Sequence, residues 1–116
     1  MSRPRRPSRT RLAGVAPVFA ALGDETRLRL VARLCAEGPL AIAELTAGAP
    51  VTRQAVTKHL HALGRAGLVR SRRAPQRRQR VWELRPERLD EARGYLETIA
   101  GEWDDALARL AAFVEE

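Results

Sequence analysis

A mainly helical domain with a small β-hairpin and a long terminal helix is the fold this sequence predicts, and three observations carry the prediction. Apolar residues recur at three- and four-residue spacing through most of the chain, divided by glycine, proline and capping residues. Two short runs between residues 68 and 84 break that helical period. The last thirty residues hold an uninterrupted heptad pattern. A chain of 116 residues, 45% of them hydrophobic, is the size of one compact domain.

The elements follow in order. Residues 1–12 read as a flexible basic arm with two prolines. Ala13 to Leu22 forms a short first helix around Pro17, ended by Gly23. Asp24 is a suitable N-cap for a second helix with Leu28, Leu30, Val31, Leu34 and Cys35 inward and Arg27, Arg29 and Arg33 outward, stopped by Gly38 and Pro39. Ala41 to Ala47 makes a very short third helix. After the turn Gly48, Ala49, Pro50 and Val51, Thr52 caps a fourth helix running to about Ala66, before Gly67. Two helices joined by about four turn residues form a helix-turn-helix. Leu68 to Arg73 and Gln79 to Leu84 then read as two strands of a hairpin, with Trp82 and Leu84 on one face. A helix-turn-helix followed by a two-stranded β wing is a winged helix, so residues 13–85 are expected to form that domain and 86–116 a C-terminal helix packed on it.

Charge distribution says what the domain meets. The formal net charge is +7, and the 21 basic residues are 20 Arg and one Lys. The arm carries +5, residues 13–50 carry −1, residues 51–85 carry +9 and residues 86–116 carry −6. Such segregation suits one face to a polyanion and leaves the C-terminal third repelled by it. Placed at about 100° per residue, the fourth helix divides into two arcs. Ala55, Val56, His59, Leu60, Leu63 and Ala66 share one; Arg53, Gln54, Thr57, Lys58, His61 and Arg65 share the other. The second arc holds the side chains that read a major groove: Arg or Lys for guanine, Gln for adenine, Thr for an edge or a thymine methyl. An ordinary solvated face is the bland explanation, and the arginine-rich hairpin beside it favours DNA reading. The expected DNA contacts are therefore Thr52, Arg53, Gln54, Thr57, Lys58 and His61 on the helix, and Arg72, Arg73, Arg77, Arg78 and Arg80 on the wing. The density of arginine in the hairpin is self-repelling and calls for an anion, expected here to be the DNA backbone. His59, on the apolar side, is expected to be a packed, hydrogen-bonded residue or a phosphate donor at the edge.

Pro86 starts the last helix, with Glu87, Asp90 and Glu91 complementing its N-terminal end. Leu89, Leu96, Trp103 and Leu110 recur every seven residues, with Ala92, Ile99, Ala106 and Phe113 between them, an a/d seam of four repeats. Gly94 and Gly101 both fall on the outer side. A helix this long, about 46 Å at 1.5 Å per residue, exceeds what so small a core can cover. The seam is expected to pack partly on the first helix and partly on a second subunit, giving a homodimer whose two DNA-reading helices enter two half-sites of an operator about one turn apart.

Other classes fall away. The longest nearly apolar stretch, Leu12 to Gly23, is about half the length of a membrane span and contains Pro17, so no membrane association is expected. Cys35 is the single cysteine, read as a core residue; no disulfide within the chain is possible and a cytoplasmic location fits. The two histidines sit two residues apart on one helix and project differently, so no catalytic set, and hence no enzyme, is expected. No cofactor is expected either. The alternative to a promoter-binding regulator is a winged-helix module that binds RNA or a protein.

The segments FAALGDETRLRLVARL, VTRQAVTKHLHALGRAGLV and QRVWELRPERL resemble the ArsR family of bacterial winged-helix repressors, in which a D-x-T-R helix start, an S/T-x-x-x-V-S/T-K/R-H-L helix and an A-G-L-V lead into the wing recur. The resemblance covers about residues 16–89; EWDDALARLAAFVEE is similar to the Trp-containing final helix of one branch. It implies a homodimeric cytoplasmic transcription factor, usually a repressor of its own operon, released by an inducer that these residues do not name. Many members sense metals through a Cys-x-Cys pair before the turn or through His and carboxylates on the final helix. Here the corresponding stretch, AIAELTAGAP, has no cysteine and the final helix no histidine, so neither metal site carries over.

Overall fold

The computed structural model describes residues 9–76 and 78–115. Its elements, in chain order, are α1 (Arg9–Leu22), α2 (Glu25–Glu37), β1 (Leu40–Ala41), α3 (Ile42–Ala47), α4 (Arg53–Arg65), β2 (Val69–Arg73), β3 (Arg80–Leu84) and α5 (Pro86–Glu115). The expected arm lies outside the described residues up to position 8. From Arg9 onward it belongs to α1, which starts four residues before the expected Ala13 and carries Pro17 inside it.

Local chemistry accounts for the helix starts. Asp24 has extended backbone and its carboxylate accepts from the Arg27 amide at 3.0 Å. Thr52 does the same for α4, accepting from the Ala55 amide at 3.1 Å. Each satisfies a helix N–H that has no intrahelical partner. The end of α3 is held from outside. The Arg33 guanidinium donates to the Glu44 and Leu45 carbonyls at 3.0 and 3.2 Å, and it passes so close to Gly48 that a Cβ there would lie 2.5 Å from it.

The helices meet in one core of Val18, Leu30, Leu34, Leu45, Val56, Leu60, Leu63, Leu68 and Ala92. Two expectations for α2 are corrected here. Leu28 is 50% exposed and Cys35 is exposed, because the buried arc centres on Leu30 and Leu34 and both lie about 100° or more to one side. Arg27, expected outward, falls inside that arc. It is partly buried, donating through Nε to the Ala21 carbonyl at the end of α1 and through a terminal nitrogen to His59 Nδ1 of α4 at 3.3 Å.

Gly67, at φ 80°, turns the chain from α4 into β2. β2 and β3 pair antiparallel, Arg70 opposite Glu83 and Ser71 opposite Trp82. A third strand, β1, joins β3 with Leu40 opposite Trp82, so the expected two-stranded wing is the outer part of a three-stranded sheet of order β1-β3-β2. Only the start of α5 belongs to the domain: Ala92 is buried, Leu89 packs on the core, and Tyr95 meets Phe19 of α1 with ring centroids 6.0 Å apart. Beyond it the helix projects, and the molecule measures 67 × 28 × 22 Å.

Candidate nucleic-acid interface

The interface is built on α4, whose apolar arc is fully used. Val56, Leu60 and Leu63 are completely buried, which fixes the rotation of the helix about its axis and turns the opposite arc outward. Arg53, Gln54, Lys58, His61 and Arg65 are all exposed. Thr57 is half-buried, with its hydroxyl donating to the Arg53 carbonyl at 2.9 Å. The Thr52 hydroxyl oxygen accepts as the cap and keeps its O–H free to donate; the other four of the six residues expected on the helix, Arg53, Gln54, Lys58 and His61, are exposed with no hydrogen bond from their side chains among the described residues.

Strand alternation sorts the wing arginines into two sets. Ser71, Arg73, Arg80 and Trp82 share the face turned toward α4: the His61 ring lies 5.8 Å from that of Trp82, and Arg80 Nε donates to the Ser71 hydroxyl at 2.9 Å. Between α4 and this face runs an open groove of about 590 Å³ lined in part by Arg53, His61, Ser71, Gln79, Arg80 and Trp82. Arg70 and Arg72 point to the opposite face. Both donate through Nε to one carboxylate, Arg70 to Glu83 Oε1 at 2.7 Å and Arg72 to Glu83 Oε2 at 2.8 Å. The Arg72 bond first, and that of Arg70 with it, holds the Glu83 carboxyl below the usual carboxylate range. The anion that the hairpin requires is thus supplied in part from within the chain, and Arg72 is not on the face that borders α4. Arg73 and Arg78 are exposed near the tip; Arg77 lies outside the described residues.

His59 sits behind α4, hydrogen-bonded to Arg27 and 3.9 Å from an Asp24 carboxylate oxygen. A guanidinium only donates, so Nδ1 is the acceptor and the ring proton is on Nε2. The Asp24 carboxyl is held below its usual range mainly by the Arg27 amide that it caps. Neither this tie nor the Glu83 bridge was among the expected sites. The Arg70–Glu83 pairing becomes visible only with the register of the hairpin, and Arg27–His59 only with the packing of α2 on α4.

Residues 22–72 match a protein-family model described as a helix-turn-helix domain. An HTH-type transcriptional regulator of Mycobacterium tuberculosis, Rv2034, is 41% identical over 97 residues, 84% of this chain and 85% of that one. Among solved structures, an ArsR-like transcriptional regulator from Rhodococcus sp. RHA1 superposes with a TM-score of 0.74 at 35% identity, covering 88% of this chain and 93% of that one. This chain belongs to the ArsR family of winged helix-turn-helix transcriptional regulators. A further ArsR-like structure, Mb0332 from Mycobacterium bovis, described as a homodimeric winged helix-turn-helix DNA-binding domain, aligns with a TM-score of 0.62 at 25% identity over 94% of this chain and 95% of that one.

In this ArsR-family member no group of three or more His, Cys, Asp or Glu capable of holding a metal occurs among the described residues. No described helix is long and apolar enough to cross a membrane.

Proposed function

We propose that this ArsR-family chain binds double-stranded operator DNA as a homodimer and represses its own operon until a signal other than a metal releases it. The observation that carries this reading is the groove between α4 and the wing, where Arg53 and His61 on one side face Gln79 and Arg80 on the other. A buried apolar arc holds α4 in a single rotation, so its Arg and Gln side chains meet base edges in a defined register. Arg73, Arg77 and Arg78 supply phosphate contacts from the wing. Dimerisation rests on the exposed seam of α5, where Leu96, Ile99, Trp103, Leu110 and Phe113 are 42–76% exposed.

Titration of DNA from the chain's own upstream region tests the reading. Arg53→Ala or Gln54→Ala is expected to cost about 1–3 kcal/mol of operator affinity and to relax base preference at one position of each half-site. Arg78→Ala is expected to weaken all sequences alike and lower the salt slope by about one per contact. Unchanged operator binding by both helix variants, or an equal preference for double-stranded RNA, would overturn the proposal.

A further inference from the structure

The groove between α4 and the wing has two parts of opposite chemistry. Its inner surface is apolar, made by the buried Ala41, the half-buried Ile42 and the indole of the half-buried Trp82. Its mouth is polar and cationic, with Arg53, His61 and Arg80 all exposed, and no acidic residue lines it among the described residues. With α4 in a major groove and the wing on the adjoining backbone, a phosphate strand passes over that mouth. Phosphate satisfies the two guanidinium groups. It offers nothing to the apolar surface beneath them, which buries no area against a solvated anion.

We propose that this groove is also a binding site for a planar aromatic carboxylate, with its ring laid on Trp82 and Ile42 and its carboxylate held by Arg80 and Arg53. Such a ligand and operator DNA exclude one another, which gives the releasing signal a chemical class; this last step rests on the operator-binding reading above.

Three features of the groove support the assignment. Its volume of about 590 Å³ falls in the usual range of small-molecule sites, which are mostly apolar with a few convergent polar groups. Its inner end is an aromatic corner: the His61 and Trp82 rings stand 5.8 Å apart with their planes at 55°. A flat ring stacked on the indole then meets the imidazole at an angle, and tilted arrangements of this kind are favourable for aromatic groups. The third feature is a fixed cation. Arg80 Nε donates to the Ser71 hydroxyl at 2.9 Å, which ties the guanidinium to the strand and leaves its terminal N–H groups without a partner among the described residues. Those groups match a carboxylate in plane and spacing.

The ring and the charge are both needed. A small inorganic anion uses only the arginines, where phosphate of DNA competes with many contacts at once. A neutral aromatic molecule uses only Trp82 and Ile42 and leaves the cations to the backbone. An aromatic acid takes both parts together, and by linkage whatever affinity DNA loses to it, the acid loses to DNA.

Isothermal titration of the full chain with sodium cinnamate, without DNA, measures the site directly. One cinnamate is expected per chain. Cinnamyl alcohol, which lacks the charge, and acetate, which lacks the ring, are each expected to bind at least about tenfold more weakly. Cyclohexanecarboxylate, apolar but not planar, is expected to bind more weakly than benzoate. Arg80→Ala removes the fixed cation, and Ala43→Glu sets an anion at an exposed position of the groove; each is expected to weaken cinnamate by about tenfold. Thermal melting checks that both variants fold. Operator binding by fluorescence anisotropy, at ionic strength held constant with sodium acetate, is expected to fall in proportion to free cinnamate without reaching a plateau.

The inference is overturned, and the operator reading left intact, if cinnamate does not bind the wild-type chain. The same follows if both variants bind it as tightly as wild type, or if it binds together with operator DNA. A chain that binds cinnamate through Arg80 and shows no preference for operator DNA overturns the operator reading and leaves the aromatic-acid site standing.

Discussion

Glu83 shows how one residue organises a whole surface. Two arginines share its carboxylate through their Nε atoms, so each keeps its terminal N–H groups free while its position is fixed. Its side chain is 16% exposed, and its carboxyl is held below the usual range by Arg72 and then Arg70. A depressed carboxylate contributes stability that is present above its unfolded-state pKa and is lost as pH falls through the folded one. Glu83→Gln is therefore expected to leave stability near neutral pH within about 1 kcal/mol, since the pair is partly solvated, and to flatten the acid limb of a stability-versus-pH curve. Because the variant frees two cations, nonspecific DNA affinity at low salt should rise and the salt slope steepen; a decrease in both would show that Glu83 aims these arginines at phosphate. Arg27 plays the corresponding role behind α4, tying the end of α1 to His59. Arg27→Ala is expected to cost about 1–3 kcal/mol in chemical denaturation, the cost of leaving polar groups unpaired. In ¹⁵N NMR spectra the His59 ring, held with its proton on Nε2, should become a mixture of tautomers.

At the scale of elements, what the sequence reveals depends on how local the cause is. The starts of α2 and α4 were legible because Asp24 and Thr52 bond to amides three residues on, and α4 was legible throughout because its apolar and polar arcs separate cleanly. The α4 face that borders the wing was legible for the same reason. β1 was not, since a two-residue strand has no period and exists only through its pairing with Val81 and Trp82. The direction of the α2 core face was also hidden: Leu28 and Cys35 are as apolar as Leu30 and Leu34, and only the placement of α4 and α1 decides which are covered. Division of the wing arginines between two faces likewise needed the hairpin register, which a one-residue slip inverts. Thr52 marks where a legible residue had a second reading, since it was expected to touch DNA and its hydroxyl is engaged as a cap. Thr52→Ser is expected to keep stability, whereas Thr52→Ala should lose about 1 kcal/mol in thermal or chemical melts. If the cap is its main role, the loss of operator affinity in Thr52→Ala should be the same for every base substitution in the half-site.

Across the whole molecule the +9 of residues 51–85 and the −6 of residues 86–116 are separated along a body 67 Å long. The part of the acidic segment beyond Tyr95 does not hold the domain together: among the described residues every buried hydrophobic residue lies at or before Ala92. Its large exposed apolar residues, Leu96, Ile99, Trp103, Leu107, Leu110, Phe113 and Val114, are 42–76% exposed, an apolar surface of the kind that marks an interaction site. Assembly is the proposed use of such a helix, and its removal separates assembly from DNA reading. A chain ending at Gly101 is expected to fold, with a melting temperature within a few degrees of the full chain once the dimer contribution is removed by dilution. It loses the acidic cluster that repels DNA, so its affinity for a single half-site should equal or slightly exceed that of the full chain. On an intact two-half-site operator the opposite holds. Without the second copy tethered nearby, the second half-site is bound from bulk solution, and affinity should fall by about two orders of magnitude. Fluorescence anisotropy with half-site and full-site duplexes at matched ionic strength measures both. Equal losses on the two duplexes would place α5 in the DNA-binding domain itself; a loss confined to the full site makes it the element that joins two domains into one reader.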